Sequence, residues 1–127
     1  MVFETTALFA GILGVMVCGL GFAVVVARIK ASKDTDTASQ TTLQRAKRAH
    51  GNLTEYAPIF LIILLIAENA ELHSTWIYLM GSAFLLGRLL LIAYFWIKQV
   101  FALRVVAFWA TILPILAGAL LLFFTAI

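Results

Sequence analysis

Two ionisable residues, Glu55 and Arg88, lie in stretches that are otherwise almost entirely apolar. Glu55 precedes the apolar run 57–67, and Arg88 interrupts the apolar run 76–97. Placing a charge at membrane depth costs at least ~2.5–3.5 kcal/mol on insertion scales, so such residues normally face a partner or a polar cavity. The sequence therefore indicates that function is centred on these two charges.

Glu55 belongs to a polar stripe along one predicted helix. Arg48, Asn52 and Glu55 are spaced i, i+4 and i+7, which places them on one helical face. Arg45 and Tyr56 border that face. The stripe offers a guanidinium for a carboxylate, an amide, and an acid that can hold an ammonium group.

Glu55 and Arg88 are also expected to lie at similar depth. If the second helix enters the lipid near Ala46 and the third leaves it near Lys98, a rise of 1.5 Å per residue puts them about 13 and 15 Å deep. The sequence thus predicts an ion pair between Glu55 and Arg88. Such a pair can serve stability alone, and that interpretation stays open.

Further cations are predicted at one boundary of the membrane. Arg28 ends the first apolar segment, Lys98 ends the third and Arg104 begins the fourth. For Arg28 and Lys98, snorkelling and topology marking are the favoured interpretation. Arg104 stands at a helix N-terminus, where the helix dipole favours anions. With Arg48, it predicts a polar pocket for a small anionic or zwitterionic ligand beside a lipid-soluble one.

The elements that position these groups are predicted to be membrane-spanning helices. The chain has 127 residues, and 64% of them are hydrophobic, which exceeds what a soluble domain of this size needs. Three of four apolar segments exceed the ~20 residues that cross a bilayer core. We expect an all-α, integral-membrane, antiparallel four-helix bundle, formed as one domain over 1–127, with spans at about 5–27, 45–68, 75–97 and 103–126.

The second span needs a polar extension to reach full length. Its helix is predicted to start near Thr42, because Thr41 and Gln44 have capping-box spacing. The preceding polar stretch 30–41 is predicted to be a mobile connection.

Loop charge predicts the orientation. Six of nine Lys and Arg residues lie in 28–48, so the first and third connections should be cytoplasmic and both termini on the other side. The first segment lacks the basic start of a signal peptide and is expected to be retained. The short loops suit a bacterial inner membrane.

Two other kinds of site are not indicated by the sequence. It has no basic patch with interleaved aromatic residues, which would suggest nucleic-acid binding. His50 and His73 lie too far apart to suggest a metal site.

A family resemblance follows from the second-helix stripe. The run Arg48-Ala49-His50-Gly51-Asn52-Leu53-Thr54-Glu55-Tyr56-Ala57-Pro58 resembles the signature of the MAPEG family, the membrane-associated proteins of eicosanoid and glutathione metabolism. The segment Gly87-Arg88-Leu89-Leu90 and the four-span layout fit as well. The resemblance implies a homotrimer that binds glutathione, as co-substrate, between neighbouring subunits near the cytoplasmic face.

The resemblance also implies roles for individual residues. Arg104 matches the arginine proposed to activate the glutathione thiol for reaction with a hydrophobic small molecule or lipid. The expected activity is that of a membrane-bound glutathione transferase or peroxidase. The positions that match glutathione-site residues of the family are Arg28, Arg48, Asn52, Glu55, Tyr56 and Arg88.

Three positions depart from the family pattern. Leu91 and Phe95 stand where polar or tyrosine residues follow the third-helix arginine, and Phe108 replaces a tyrosine found in some members. These replacements keep open a non-catalytic, lipid-binding or scaffold member of the same fold. A small channel or transporter subunit built around Glu55 and Arg88 is a further alternative.

Overall fold

Four long α-helices make up the chain. The computed structural model describes residues 2–127 and contains no strand in that range. Each helix is long and apolar enough to cross a membrane, which confirms the predicted fold class. The helices are α1 (Glu4–Lys33), α2 (Thr37–Asn69), α3 (Ser74–Trp96) and α4 (Phe101–Ala126).

Successive helices run antiparallel. The start of α1 contacts the end of α2, where Glu68 accepts hydrogen bonds from the amides of Thr5 and Thr6. Helices α2 and α3 pack through Phe60 and Phe84, whose rings stack with centroids 4.0 Å apart. Helix α1 packs mainly on α2 and α4 mainly on α3, and within residues 2–127 no contact joins α1 to α4.

The main core lies among α1, α2 and α3. Burying these side chains against one another excludes lipid and fixes the rotation of each helix about its axis. The outer faces remain apolar, as a bilayer requires; Val15 is 74% exposed and Phe22 is 71% exposed. The core residues are Phe9, Leu13, Leu53, Ala57, Phe60, Leu64, Ile77 and Phe84.

The connection between α1 and α2 is much shorter than the sequence suggests. Helix α1 continues to Lys33 and α2 begins at Thr37, so residues 34–36 alone link them. The mobile connection predicted over 30–41 is therefore wrong. Ala27 and Ala31 of α1 pack against Leu43 and Ala46 of α2. These small side chains let the two helices continue in contact beyond their apolar stretches.

The predicted capping box of the second helix is also wrong. Asp36 is the N-cap of α2, and its carboxylate accepts from the amide of Ser39 at 3.1 Å. Thr41 lies within the helix, where its hydroxyl donates to the carbonyl of Thr37 at 2.8 Å. The helix begins before Thr41 because Asp36 accepts a hydrogen bond from an otherwise unpaired amide of the first turn, about one turn earlier in the chain.

At the opposite end of the bundle, the carboxylate of Glu68 links the end of α2 to the start of α1. Glu68 receives the Thr5 amide at 2.9 Å and the Thr6 amide at 2.8 Å. These are free amides of the first turn of α1, and its own N-cap, Phe3, provides no side-chain hydrogen bond. Glu68 thus caps α1 from α2, and ties the two helices together where Glu71 (φ 56°) makes the turn into α3.

Candidate functional site

Arg88 is the buried centre of the polar site. Its side chain is 3% exposed. Nη1 donates to the backbone oxygen of Asn52 at 3.3 Å and to its side-chain Oδ1 at 2.5 Å. Nη2 donates to the hydroxyl of Thr111, which in turn donates to the carbonyl of Ala107 at 2.8 Å. Arg88 therefore links α2, α3 and α4.

A close helix approach makes this link possible. A Cβ placed on Gly87 would lie 2.7 Å from Oγ1 of Thr111 and 3.0 Å from the carbonyl oxygen of Ala107. Real Cβ atoms essentially never come nearer than 3.0 Å. Glycine at this position lets α4 come close enough for its single mid-span hydroxyl to reach Arg88.

Aromatic rings flank the same guanidinium. The Arg88 Cζ atom lies 5.3 Å from the ring centroid of Tyr56 and 5.6 Å from that of Phe84. Both distances fall within the range in which a cation is attracted to a ring face. The buried charge is thus surrounded by neutral oxygens and π faces.

The predicted ion pair between Glu55 and Arg88 is wrong. Glu55 is exposed, and within residues 2–127 every acceptor of an Arg88 hydrogen bond is neutral. Arg88 and Glu55 nevertheless lie at similar levels of the bundle, since Arg88 contacts Asn52, which is less than one helical turn from Glu55. The rotation of α2 decides the partner: Asn52 turns inward toward α3, whereas Glu55, three residues later, faces outward.

Three adjoining cavities surround Arg104. The first, the Arg88 cavity, has a volume of about 210 Å³ and is the most enclosed of the three. Its polar lining residues come from three helices. They are Asn52, Tyr56, Arg88, Arg104 and Thr111.

The second cavity, the Glu55 cavity, has a volume of about 340 Å³ and lies between α2, the end of α3 and the start of α4. It combines cations with one acid, as the sequence stripe indicated. Its charged and amide residues are Lys47, Arg48, Asn52, Glu55 and Arg104.

The third cavity, the Arg45 cavity, has a volume of about 380 Å³ and lies between the start of α2 and the α3–α4 connection. Arg45, Arg48 and Arg104 line it together with neutral polar residues. The Cζ atom of Arg104 lies 5.9 Å from the Tyr94 ring centroid, which holds the guanidinium at the junction of the three cavities.

The structure separates Arg28 from the other predicted site residues. Arg28 is exposed on α1, and none of the three cavities includes it. The remaining six predicted residues all line the Arg88 cavity, the Glu55 cavity or both. They are Arg48, Asn52, Glu55, Tyr56, Arg88 and Arg104.

The three departures from the family pattern all fall on these cavities. Leu91 and Phe108 line the Arg88 cavity, and Phe95 lines both the Glu55 and the Arg45 cavities. The walls of the site are therefore apolar at these three positions.

Sequence reasoning missed Thr111 altogether. This hydroxyl is 1% exposed and receives a hydrogen bond from Arg88. A signal was available: Thr111 is the one hydroxyl residue in the apolar run 105–124, and it follows Arg104 by seven residues on the same helical face.

Comparison with known proteins supports the resemblance drawn from the sequence. A family model described as the MAPEG family matches residues 6–124. The inner membrane protein YecN of Escherichia coli, in strain K12 and in the O6:H1 strain CFT073, is 29% identical over 85 residues. The match covers 67% of this chain and 65% of the relative, slightly under two thirds of its length. No solved structure matches the chain significantly.

Proposed function

The chain belongs to the MAPEG family, and on that premise we propose that it is a membrane-bound glutathione transferase or peroxidase. One observation carries the proposal. Arg104 lines a cavity with Arg48 and Glu55 and also lines the cavity that holds Arg88. A thiol placed beside Arg104 would thus have a peptide-binding region on one side and a buried cation on the other.

The chemistry of the Glu55 cavity fits the functional groups of glutathione. Glutathione carries two carboxylates, one ammonium group, two amides and a thiol. Arg48 and Lys47 match the carboxylates, Glu55 matches the ammonium group, and Asn52 matches an amide. The exposure of Glu55 supports this assignment, because its carboxylate is accessible from the cavity and is not engaged by Arg88.

Arg104 is proposed to activate the thiol. A neighbouring cation and a helix N-terminus both stabilise thiolate relative to thiol. Arg104 stands in the first turn of α4, which begins at Phe101, so it supplies both effects at one place. The released proton would leave through the open Glu55 cavity to water.

The proposed reaction forms a carbon–sulfur bond. The thiolate supplies the electron pair to an electrophilic carbon, and the leaving group departs with the bonding pair. With a hydroperoxide, the thiolate would attack the terminal oxygen, the O–O bond would break, and the alkoxide would take up a proton and leave as the alcohol. A second glutathione thiol would then attack the sulfur of the resulting sulfenic acid and release glutathione disulfide and water. Leu91 and Phe108 give the Arg88 cavity an apolar wall that suits a hydrophobic electrophile.

The proposal extends to assembly and to place in the cell. Arg28 lies on α1, which has no contact with α4 in the described chain. In the homotrimer implied by the family, Arg28 would serve the site of a neighbouring subunit. We place the chain in a bacterial inner membrane, like the relative named above, with both termini on the non-cytoplasmic side.

The proposal is tested by glutathione binding and turnover in detergent. Calorimetry should detect binding to the wild type, and Arg48→Ala should weaken it by roughly tenfold or more, since hydrogen bonds to charged groups are worth about 1.5–3 kcal/mol. Lys98→Ala, which removes a cation outside the three cavities, should leave binding unchanged.

Arg104→Ala separates catalysis from binding. It should still bind glutathione but conjugate a hydrophobic electrophile on the order of 10²-fold more slowly, as expected when a charge-stabilising group is lost. The ultraviolet absorption of bound thiolate should decrease in parallel. Unchanged turnover would remove Arg104 from the mechanism.

A second candidate function is non-catalytic lipid binding or scaffolding. Leu91, Phe95 and Phe108 favour it, because they remove polar groups from the cavity walls. The two candidates differ in one measurement. A ligand that binds the native state must raise the melting temperature, so the absence of any shift with millimolar glutathione, together with a shift caused by a fatty acid, would favour the lipid-binding protein.

A further inference from the structure

We propose that the Arg45 cavity binds a phosphate group. The inference does not rest on the glutathione-dependent function, because Arg45 lines neither the Arg88 cavity nor the Glu55 cavity. Arg48 and Arg104 line this cavity as well as the proposed glutathione site, whereas Arg45, Thr41, Gln44 and Gln99 line this cavity alone among the three.

The first argument is charge. Three guanidinium groups, those of Arg45, Arg48 and Arg104, line this cavity of about 380 Å³, and no Asp or Glu lines it. Like charges that line one cavity repel one another, and an anion bound between them relieves that repulsion. The neighbouring Glu55 cavity contains an acid and suits a zwitterion, so the two cavities differ in the net charge of the ligand they favour.

The second argument is an unsatisfied donor. The Nε atom of Arg45 is buried and has no hydrogen-bond partner within the described chain. A buried donor left without an acceptor is unfavourable. An anion in the cavity that Arg45 lines would supply acceptors to its guanidinium group, whereas an apolar ligand would not.

The third argument is the form of the donor set. Arginine presents planar pairs of N–H groups that match the oxygens of phosphate, and three such forks can share its oxygens. Neutral polar groups complete the wall: the side chains of Thr41, Gln44 and Gln99. A carboxylate, with two oxygens and one charge, would leave much of this set unused.

The position of the cavity is consistent with two phosphate sources. Gln99 lies in the connection after α3, and Arg104 lies in the first turn of α4, so the cavity is at the ends of the apolar helices. Lipid headgroups occupy that level of a bilayer. The ligand is therefore a phosphate monoester, carried either by a lipid or by a soluble metabolite.

The test measures the melting temperature of the full-length protein with two probes. Glycerol 3-phosphate represents the soluble source, and phosphatidic acid in phosphatidylcholine nanodiscs represents the lipid source. Each is compared with sodium chloride at equal ionic strength or with phosphatidylcholine alone. The variants are Arg45→Gln and, as a control with the same net charge, Lys98→Gln, whose side chain is exposed and outside the cavity.

We expect at least one probe to raise the melting temperature of the wild type and of Lys98→Gln. Arg45→Gln should require a roughly tenfold or higher probe concentration for the same shift. A shift with both probes would indicate recognition of the phosphate itself, and a shift with phosphatidic acid alone would indicate a lipid headgroup.

The proposal is overturned if neither probe shifts the wild type, or if both variants respond equally. The second result would mean general attraction of anions to the basic end of the bundle. If Arg45→Gln does not fold, as judged by circular dichroism and gel filtration, Gln99→Ala replaces it, because Gln99 is exposed in a connection. Glutathione is absent from every sample, so failure of the glutathione proposal would not alter the result.

Discussion

Arg88 of α3 donates a hydrogen bond of 2.5 Å to the side-chain oxygen of Asn52 on α2. A charged donor and a neutral acceptor thus form the main polar contact between these helices. In an apolar environment such a bond is stronger than in water, and its loss leaves a buried charge poorly satisfied. The relationship makes Asn52, and not Glu55, the residue on which Arg88 depends.

Substitution of the two candidate partners should separate their contributions. Asn52→Ala removes the acceptor side chain and should lower the free energy of unfolding by about 1.5–3 kcal/mol, the value of a hydrogen bond to a charged group. Glu55→Gln changes an exposed side chain and should stay within about 0.5 kcal/mol of the wild type. Denaturant titration in detergent, monitored by circular dichroism, measures both. Equal destabilisation by the two substitutions would contradict this assignment and would support an ion pair between Glu55 and Arg88.

Two glycine substitutions should have opposite effects. Gly87→Ala would place a Cβ against the hydroxyl of Thr111 and the backbone oxygen of Ala107. Since backbone cannot easily move aside, we expect a loss of about 1–3 kcal/mol. Gly19→Ala meets nothing within 4 Å and should be neutral or stabilising, because alanine favours helix by about 0.5–1 kcal/mol over glycine.

The matched pair of glycine variants is compared by melting temperature and by glutathione affinity. Gly87→Ala should lower the melting temperature and the affinity for glutathione, since the added methyl group pushes Thr111 away from Arg88. A Gly87→Ala protein as stable as the wild type would show that α3 and α4 are not tightly packed at this point.

Removal of the Glu68 charge should loosen the start of α1. Glu68→Gln keeps one acceptor oxygen but turns an amide N–H toward the helix-start donors, so one of the two bonds to Thr5 and Thr6 is lost. The expected cost is about 0.5–2 kcal/mol, as for loss of an N-cap. Glu71→Gln, a substitution of the same chemistry in the adjacent turn, should have little effect.

Hydrogen exchange locates the effect of the Glu68 substitution. Amide protection should decrease over the first two turns of α1 and remain unchanged at the other end of the bundle. A uniform decrease would argue that Glu68 supports the whole fold and not one helix end.

The N-cap of α2 should respond to acid. Hydrogen bonds from Ser39, through its side chain and its backbone, hold the pKa of Asp36 below its ordinary value of 3.8. The carboxylate is the preferred form in the folded state, so its contribution is fully present above pH 3.8 and is lost as pH falls through the lower, folded-state pKa. Asp36→Asn retains a capping oxygen but does not titrate.

We therefore expect the wild type and Asp36→Asn to differ in how their stability depends on pH. The wild type should lose stability relative to Asp36→Asn as pH falls below 3.8, and a titration of the Ser39 amide by nuclear magnetic resonance should have its midpoint below that value. If the midpoint lies at or above 3.8, the cap is not formed in solution.

Helix ends show where hydropathy is an incomplete guide. The spans expected at 5–27 and 45–68 lie within helices that run over Glu4–Lys33 and Thr37–Asn69. Hydropathy reports which residues tolerate lipid, whereas a helix continues as long as its amides and carbonyls are paired and its end is capped. Asp36, together with the alanine contacts between α1 and α2, extends both helices beyond the apolar segments.

The sequence by itself determined the four-helix membrane fold, the family and the gathering of Arg48, Asn52 and Glu55 along one helix. These features follow from apolar length and from the 3.6-residue period, which are local properties. Only the tertiary structure decided that Arg88 binds Asn52 and Thr111, that Glu68 caps α1, and that Arg45 lines a separate cavity. Those contacts depend on how each helix is rotated and how closely glycine lets it approach its neighbour, and no single helix encodes either.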